Sequence, residues 1–438
     1  MLRVSLLLLA AALTLGCGSW KPIDGPNVVI VLVDQLRFDA AEMWMPKTRA
    51  LAEKGVRFEQ MRSVAPWTYP SVISMFSGLY PQQHGADGDM GGKTMTTFSE
   101  GVPLLPRFLR EAGYYTAGFV TNPFLHEWNP FYRSFDEYQA NEFINSQENL
   151  RGLGAHVWKD TMWANTVNPA VLKHFGERTY EEPEFTYVHY IDVHGRKAGA
   201  ERWDGAPFEG SYEASCRYID ERIAELYEFF HARYGGDLVF LVTSDHGEDF
   251  GDDEDVGAGR RFRQKKSTVH DFNLRIPCYI LPGNDVPASV LQGPSGNLDI
   301  TPTLLEWVGL QRPSVLSGVS LYGALQGQPY DGEARALYAK MSYNGRHNDC
   351  MVLGGKKYLR HFDPKSGKVA VRRSFDLGSD PREIQNLGSN FGPQEGQLEK
   401  AASDRGYALP AIFEDRKKEL LQALNGLGYG GDDDDQEQ

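Results

Sequence analysis

The chain is predicted to be an α/β protein, with a mostly parallel central sheet flanked by helices and a smaller C-terminal antiparallel sheet plus helix. Three observations predict this. Apolar, β-branched runs alternate with helix-period segments along most of the chain, as expected of strands buried on both faces of a parallel sheet. Several of these runs end directly on Asp or on an Asp and His together. The last stretch changes character, to short strands divided by Gly, Asp and Pro turns. At 438 residues the chain is long enough for two or three domains of roughly 100–200 residues each.

Taken in order, MLRVSLLLLAAALTLGC (residues 1–17) reads as an export signal: one positive charge at Arg3, an apolar run, then small residues before Cys17. The run is shorter than the ~20 apolar residues a bilayer span needs. Residues 18–26 read as a short linker, and 27–325 as the main α/β domain. NVVIVLVDQLR is its first buried strand and stops at Asp34, at the strand end where α/β folds place their ligands. MPKTRALAEKGVRF and LLPRFLREAGYYTAGFVTN each read as a helix, a Gly stop and a strand. EFTYVHYIDVHG and DLVFLVTSDHGEDFGD are strands that run into Asp192 with His194 and into Asp245 with His246. A C-terminal subdomain over 335–428 contains ALYAKMSY, CMVLGG, KKYLRHF and VAVRRSFDL as strands and PAIFEDRKKELLQALNGLG as a final helix. Residues 429–438 form an acidic tail whose composition predicts disorder.

Charge restricts the partners. The chain carries 45 Lys+Arg against 59 Asp+Glu, a formal charge of −14, which argues against nucleic acid, since a duplex binder needs a basic face. Beyond Cys17 only Cys216, Cys278 and Cys350 remain, too few for a disulfide framework, and they read as core residues.

Strand ends thus supply Asp34, Asp192 with His194, and Asp245 with His246, while TYPS supplies Thr68 in a Tyr-Pro turn. A single Asp at a strand end is commonly a helix cap. Asp and His together at two of them form a ligand set for a divalent cation. Such an ion would hold the Thr68 hydroxyl, lower its pKa and neutralise a bound oxyanion. His84 reads as structural, and His189 as a core histidine facing away from His194. Glu248, Asp249, Asp252 and Asp253 read as a solvated acidic turn, and Trp158, Trp163 and Trp203 as packing.

NVVIVLVDQLRFD, TYPSVISMFSGLYPQQHG, YIDVHG, SDHGEDFGD, KKSTVHDFNLRIPCYILPG, NLDITPTLLEWVGL and SFDLGSDPREIQNL resemble, in order, the signatures of the sulfatase family of the alkaline phosphatase superfamily. The resemblance covers Asn27 to Leu387 and implies an alkaline-phosphatase-like fold. It implies that Asp34, Thr68, Asp245 and His246 hold a metal, that Thr68 is the nucleophile and His194 the general acid, and that Lys266 stabilises developing charge, with Lys265 one residue away. Asp192 either orients His194 or binds a second ion. Ser71 and His270 are expected near substrate.

The departures matter for the reaction. The family usually carries Cys or Ser at the position of Thr68 and oxidises it to formylglycine, which Thr cannot become. Val72 replaces an Arg, Gln35 replaces a second Asp, and FVTNPF replaces the Gly-Lys-x-His grip on sulfate. An unmodified Thr is found in the phosphodiesterase and phosphonate-hydrolase branches. The expected activity is hydrolysis of a phosphate mono- or diester by Thr68. The alternatives are a sulfuric ester hydrolase acting without formylglycine and a weakly catalytic glycan-binding protein. One divalent ion is expected, with Mn²⁺ or Zn²⁺ favoured over Ca²⁺ because His246 adds a nitrogen and Gln35 removes a carboxylate. The N-terminus resembles a bacterial lipoprotein signal acylated at Cys17, although Thr14 stands where Leu is usual. It implies a lipid-anchored protein of the cell envelope; a plain secretory signal is the other reading.

Overall fold

A computed structural model describes residues 25–89, 94–125, 130–140, 163–194, 211–250, 268–343, 346–363, 365–404 and 411–412. Eight strands build the main sheet: β1 (Asn27–Val33), β2 (Val56–Phe58), β3 (Tyr115–Val120), β4 (Glu137–Ala140), β5 (Glu184–Tyr190), β6 (Leu238–Ser244), β7 (Cys278–Leu281) and β8 (Ser289–Leu291). Their order is β8-β2-β7-β6-β1-β5-β3-β4, and β7 runs antiparallel to both of its neighbours. Every other pairing in the sheet is parallel.

The predicted two-sided burial is observed. Val28, Ile30 and Leu32 of β1 join one core, together with α3 (Thr68–Ser77), α4 (Leu105–Glu111) and α7 (Ile300–Trp307). Val29, Val31 and Val33 join the opposite core, with α1 (Phe38–Trp44), α2 (Pro46–Ala52), α5 (Ala164–Glu177) and α6 (Tyr212–Tyr234). Both faces of β1 are covered, so its sequence has no polar alternation.

The C-terminal strands β9 (Leu337–Tyr343), β10 (Arg346–Leu353), β11 (Lys356–Phe362) and β12 (Val369–Asp376) form an antiparallel meander. One of its faces packs Met341, Cys350, Leu359 and Phe375 against Val64, Val269 and Leu298 of the main domain. The other receives α8 (Pro393–Ser403) through Leu398. The expected final helix is corrected at its start, where Ala411–Ile412 pairs as a strand with Thr94–Thr97, so backbone bonds to a strand distant in sequence take precedence over the local apolar spacing. The rest of that segment, residues 1–17 with Cys17, and the acidic tail lie outside the described residues. Cys216, Cys278 and Cys350 are free and buried, as expected. No helix among the described residues is long and apolar enough to cross a membrane.

Candidate active site

The site forms where neighbouring parallel strands end together. Val33 of β1 lies in register with Ser244 of β6, so the next residues, Asp34 and Asp245, leave adjacent strands at the same level. Parallel strands are ~4.8 Å apart, which brings the two carboxylates together. Asp34, Asp245 and His246 each place one ligand atom within 4.8 Å of the other two, and all three residues are buried. Thr68, in the first turn of α3, closes the group, with its Oγ1 3.3 Å from Asp34 Oδ2.

Each ligand candidate has one atom held and one left over. Asp245 Oδ1 accepts the N–H groups of Gln35 at 3.0 Å and His246 at 2.9 Å, while Oδ2 has no hydrogen-bond partner. Asp34 Oδ2 accepts from Asn122 Nδ2 at 2.6 Å and from Thr68, while Oδ1 has no partner. His246 Nδ1 donates to the Gly247 carbonyl at 2.7 Å, which leaves the lone pair on Nε2, also without a hydrogen-bond partner. A buried atom of ligand type without a hydrogen-bond partner on each of three residues, whose ligand atoms lie within 4.8 Å of one another, fits a divalent cation. The electrostatics agree: burial, then the Asp245 charge, push Asp34 well above the usual carboxylate range. A cation between the two carboxylates relieves that repulsion.

Backbone geometry holds the ligands in place. Gln35 adopts φ 60°, a left-handed conformation uncommon for a side chain of its size. Two bonds hold it there: its N–H to Asp245, and its carbonyl accepting the Tyr212 hydroxyl at 2.7 Å. Gly247 donates to the Asn273 carbonyl at 2.7 Å, and a Cβ on it would lie 2.0 Å from the Phe272 carbonyl oxygen. Gly247→Ala is therefore expected to displace the His246 loop, destabilising the protein by about 1–3 kcal/mol. Thermal unfolding combined with metal analysis checks this; unchanged stability and metal content would contradict it.

The remaining expected site residues are placed as follows. Ser71, expected at substrate, is fully buried and engaged: its Oγ donates to the Asp245 carbonyl at 2.6 Å and accepts Asn297 Nδ2 at 2.9 Å. It joins α3 to the Asp245 loop, a supporting role. His270 is buried, and its Nδ1 donates to Glu383 Oε2 at 2.9 Å. Asp192 and His194 do not share a face of an extended strand. The chain turns after Tyr190, with His194 N–H donating to the Ile191 carbonyl at 2.9 Å. Asp192 accepts the Ala164 N–H at 3.1 Å, so it caps α5. Lys265 and Lys266 lie outside the described residues.

Two neighbours of Asp34 escape a reading of the sequence. His189 was expected to face away, but it lies in register with Leu32, on the face that carries Asp34 two residues on. Its Nε2 is 3.6 Å from Asp34 Oδ2, and burial holds its pKa down at about 4, so it is neutral. Asn122 lies two residues past β3 and reaches both Asp34 and Thr68. Only its place beyond a strand end hinted at this. Glu248 and Asp249 are buried, which corrects the solvated turn expected of them. Trp163 packs in the core, and His84 is structural, bonded to Ser74 Oγ at 2.9 Å and accepting the Ala86 N–H at 3.0 Å.

A mainly parallel sheet covered by helices on both faces, with a helix-borne hydroxyl and ligand-type side chains at its carboxyl edge, is the architecture of the alkaline phosphatase superfamily. Within it the chain belongs to the sulfatase family, whose profile, described as Sulfatase, matches residues 26–310. It is 25% identical over 453 residues to the choline-sulfatase of Rhizobium meliloti (strain 1021), covering 83% of each protein. Its fold is similar to that of the phosphonate monoester hydrolase of Agrobacterium radiobacter, with a TM-score of 0.63, 16% identity and coverage of 86% of this chain and 94% of that one. It is also similar to a protein solved with its substrate D-glucosamine-2-N,6-O-disulfate, with a TM-score of 0.66, 15% identity and coverage of 94% and 100%.

Proposed function

We propose that the protein hydrolyses a phosphate mono- or diester, using the unmodified hydroxyl of Thr68 as nucleophile. The observation that carries this is a threonine, which cannot become formylglycine, standing 3.3 Å from Asp34 beside the ligand cluster. A divalent cation held by Asp34, Asp245 and His246 would lower the pKa of the Thr68 hydroxyl and neutralise charge on the ester oxygens. Thr68 sits in the first turn of α3, whose positive dipole end favours an anion there. In this reading Thr68 Oγ bonds to phosphorus as the ester oxygen leaves with its electron pair, and His194 supplies that oxygen with a proton. Water then releases phosphate from a monoester, or a phosphate monoester from a diester, and restores Thr68. Lys266, or Lys265 beside it, stabilises the charge that develops.

A second reading, sulfuric ester hydrolysis without formylglycine, is favoured by the similarity to a choline-sulfatase. The kcat/KM ratio for an aryl phosphodiester against the matching aryl sulfate separates the two. The proposal expects the phosphodiester to dominate; a ratio favouring sulfate overturns it. The substrate is a small-molecule or glycan ester. Residues 1–17 are proposed to direct export, with lipid attachment at Cys17 to the cell envelope.

Mn²⁺ or Zn²⁺ is proposed over Ca²⁺, because His246 presents a nitrogen and, among the described residues, two carboxylates join it. His246→Ala is expected to lower kcat/KM more with Zn²⁺ than with Ca²⁺, measured on apo-protein reconstituted with each ion. Equal losses contradict this preference.

A further inference from the structure

We propose that Asn122 is a further catalytic residue, whose two amide hydrogens fix Asp34 and stabilise the Thr68 oxygen as it loses its proton. This rests on the reading of Thr68 as nucleophile. Asn122 is fully buried, and its Oδ1 accepts the Phe124 N–H at 2.9 Å. That bond fixes the direction of the amide, so Nδ2 faces the site. Nδ2 is 2.6 Å from Asp34 Oδ2 and 3.5 Å from Thr68 Oγ1, and those two oxygens are 3.3 Å apart. The three atoms form a triangle in which each oxygen meets the same NH₂ group.

The chemistry follows from counting protons. A Thr68 hydroxyl has one, directed at Asp34 Oδ2. When it passes to water, two oxygens carrying negative charge face each other at that distance. Asn122 then donates to both, and its bond to Thr68 strengthens as charge builds on Oγ. Such an interaction lowers the barrier, because it is stronger in the transition state than in the ground state. The step balances as diester plus Thr–OH giving Thr–O–PO₂–OR′ plus the leaving alcohol, and water later returns Thr–OH and the phosphate monoester.

The test uses the full chain with saturating Mn²⁺ and an aryl phosphodiester, following formation of the covalent intermediate in a single turnover. Asn122→Asp keeps the size and the acceptor for Phe124 but lacks both N–H groups. Asn122→Ala and Asn122→Asp are each expected to slow that step by about 10²–10³-fold, with KM and metal content unchanged. Asn122→Ser, which restores one donor, recovers part of the rate. Wild-type rates in Asn122→Ala overturn the proposal, and a loss in Asn122→Asp counts for it only where metal content and thermal stability match the wild type, since that variant sets a carboxylate against Asp34. A loss that disappears when Mn²⁺ is raised also overturns it, since Asn122 would then act only through ion affinity. Full activity of Thr68→Ala would instead remove the underlying reading, a result distinct from both.

Discussion

Thr68→Ala is expected to abolish phosphodiester turnover, lowering kcat/KM by about 10³–10⁶-fold while the fold survives. Two buried serines near it are already committed: Ser71 to the Asp245 carbonyl and to Asn297, and Ser63 to the Ala65 carbonyl, to which it donates at 2.6 Å. The substitution leaves little unsatisfied. Asp34 Oδ2 keeps its bond to Asn122, so the stability change is about 1 kcal/mol or less. Thr68→Ser retains the oxygen and is expected to keep measurable activity. Steady-state kinetics beside thermal unfolding checks both parts, and an active alanine variant contradicts the assignment.

The second large effect concerns stability. Lys357 of β11 is wholly buried, with its Nζ 2.8 Å from Asp271 Oδ1 and 2.8 Å from Glu383 Oε1. Arg62 binds Asp271 from the main domain at 2.7 Å, and His270 binds Glu383. This network ties the C-terminal sheet to the segment that follows residue 267 and carries His270 and Asp271. Lys357→Met leaves a surplus buried carboxylate and is expected to destabilise the protein by about 3–5 kcal/mol, read by chemical denaturation. A change under about 1 kcal/mol would contradict the account. pH acts in the same direction. Burial alone would raise Asp271, but the charges of Arg62 and Lys357 outweigh it and hold the carboxyl far below its usual range. A depressed folded-state pKa contributes stability above the unfolded value of about 3.9, and that contribution is lost as pH falls below it. The wild type is therefore expected to lose stability in acid below about pH 4, and Lys357→Met to show a smaller loss there.

Much of this site could be read from residue order, and the reasons are local. Asp34, Asp245 and His246 follow immediately on buried strands, and register alone brings adjacent parallel strand ends together. Thr68 stands out because Pro70 and a run of small residues open a helix behind it. The four C-terminal strands are each bounded by turn residues, so they too were legible. What failed depended on long-range pairing. His189 was assigned a face by counting back from His194, but the strand stops at Tyr190 and the alternation stops with it. The bond from the Ala164 N–H of α5 to Asp192 likewise could not be read from the sequence around Asp192. Asn122 carries a weak signal, its place beyond a strand end in FVTNPF, and its partners Asp34 and Thr68 lie far away in the chain. The burial of Glu248 and Asp249 likewise depends on tertiary neighbours: Arg37 donates to the Glu248 carbonyl at 3.1 Å.

The most direct test of the central claim is mass spectrometry of the quenched enzyme during turnover of an aryl phosphodiester, followed by mapping of the peptide that contains Thr68. The account predicts a phosphoryl ester adduct on Thr68, formed at the rate of leaving-group release and absent from Thr68→Ala. Turnover with no adduct on that peptide, or an adduct on another residue, would contradict it.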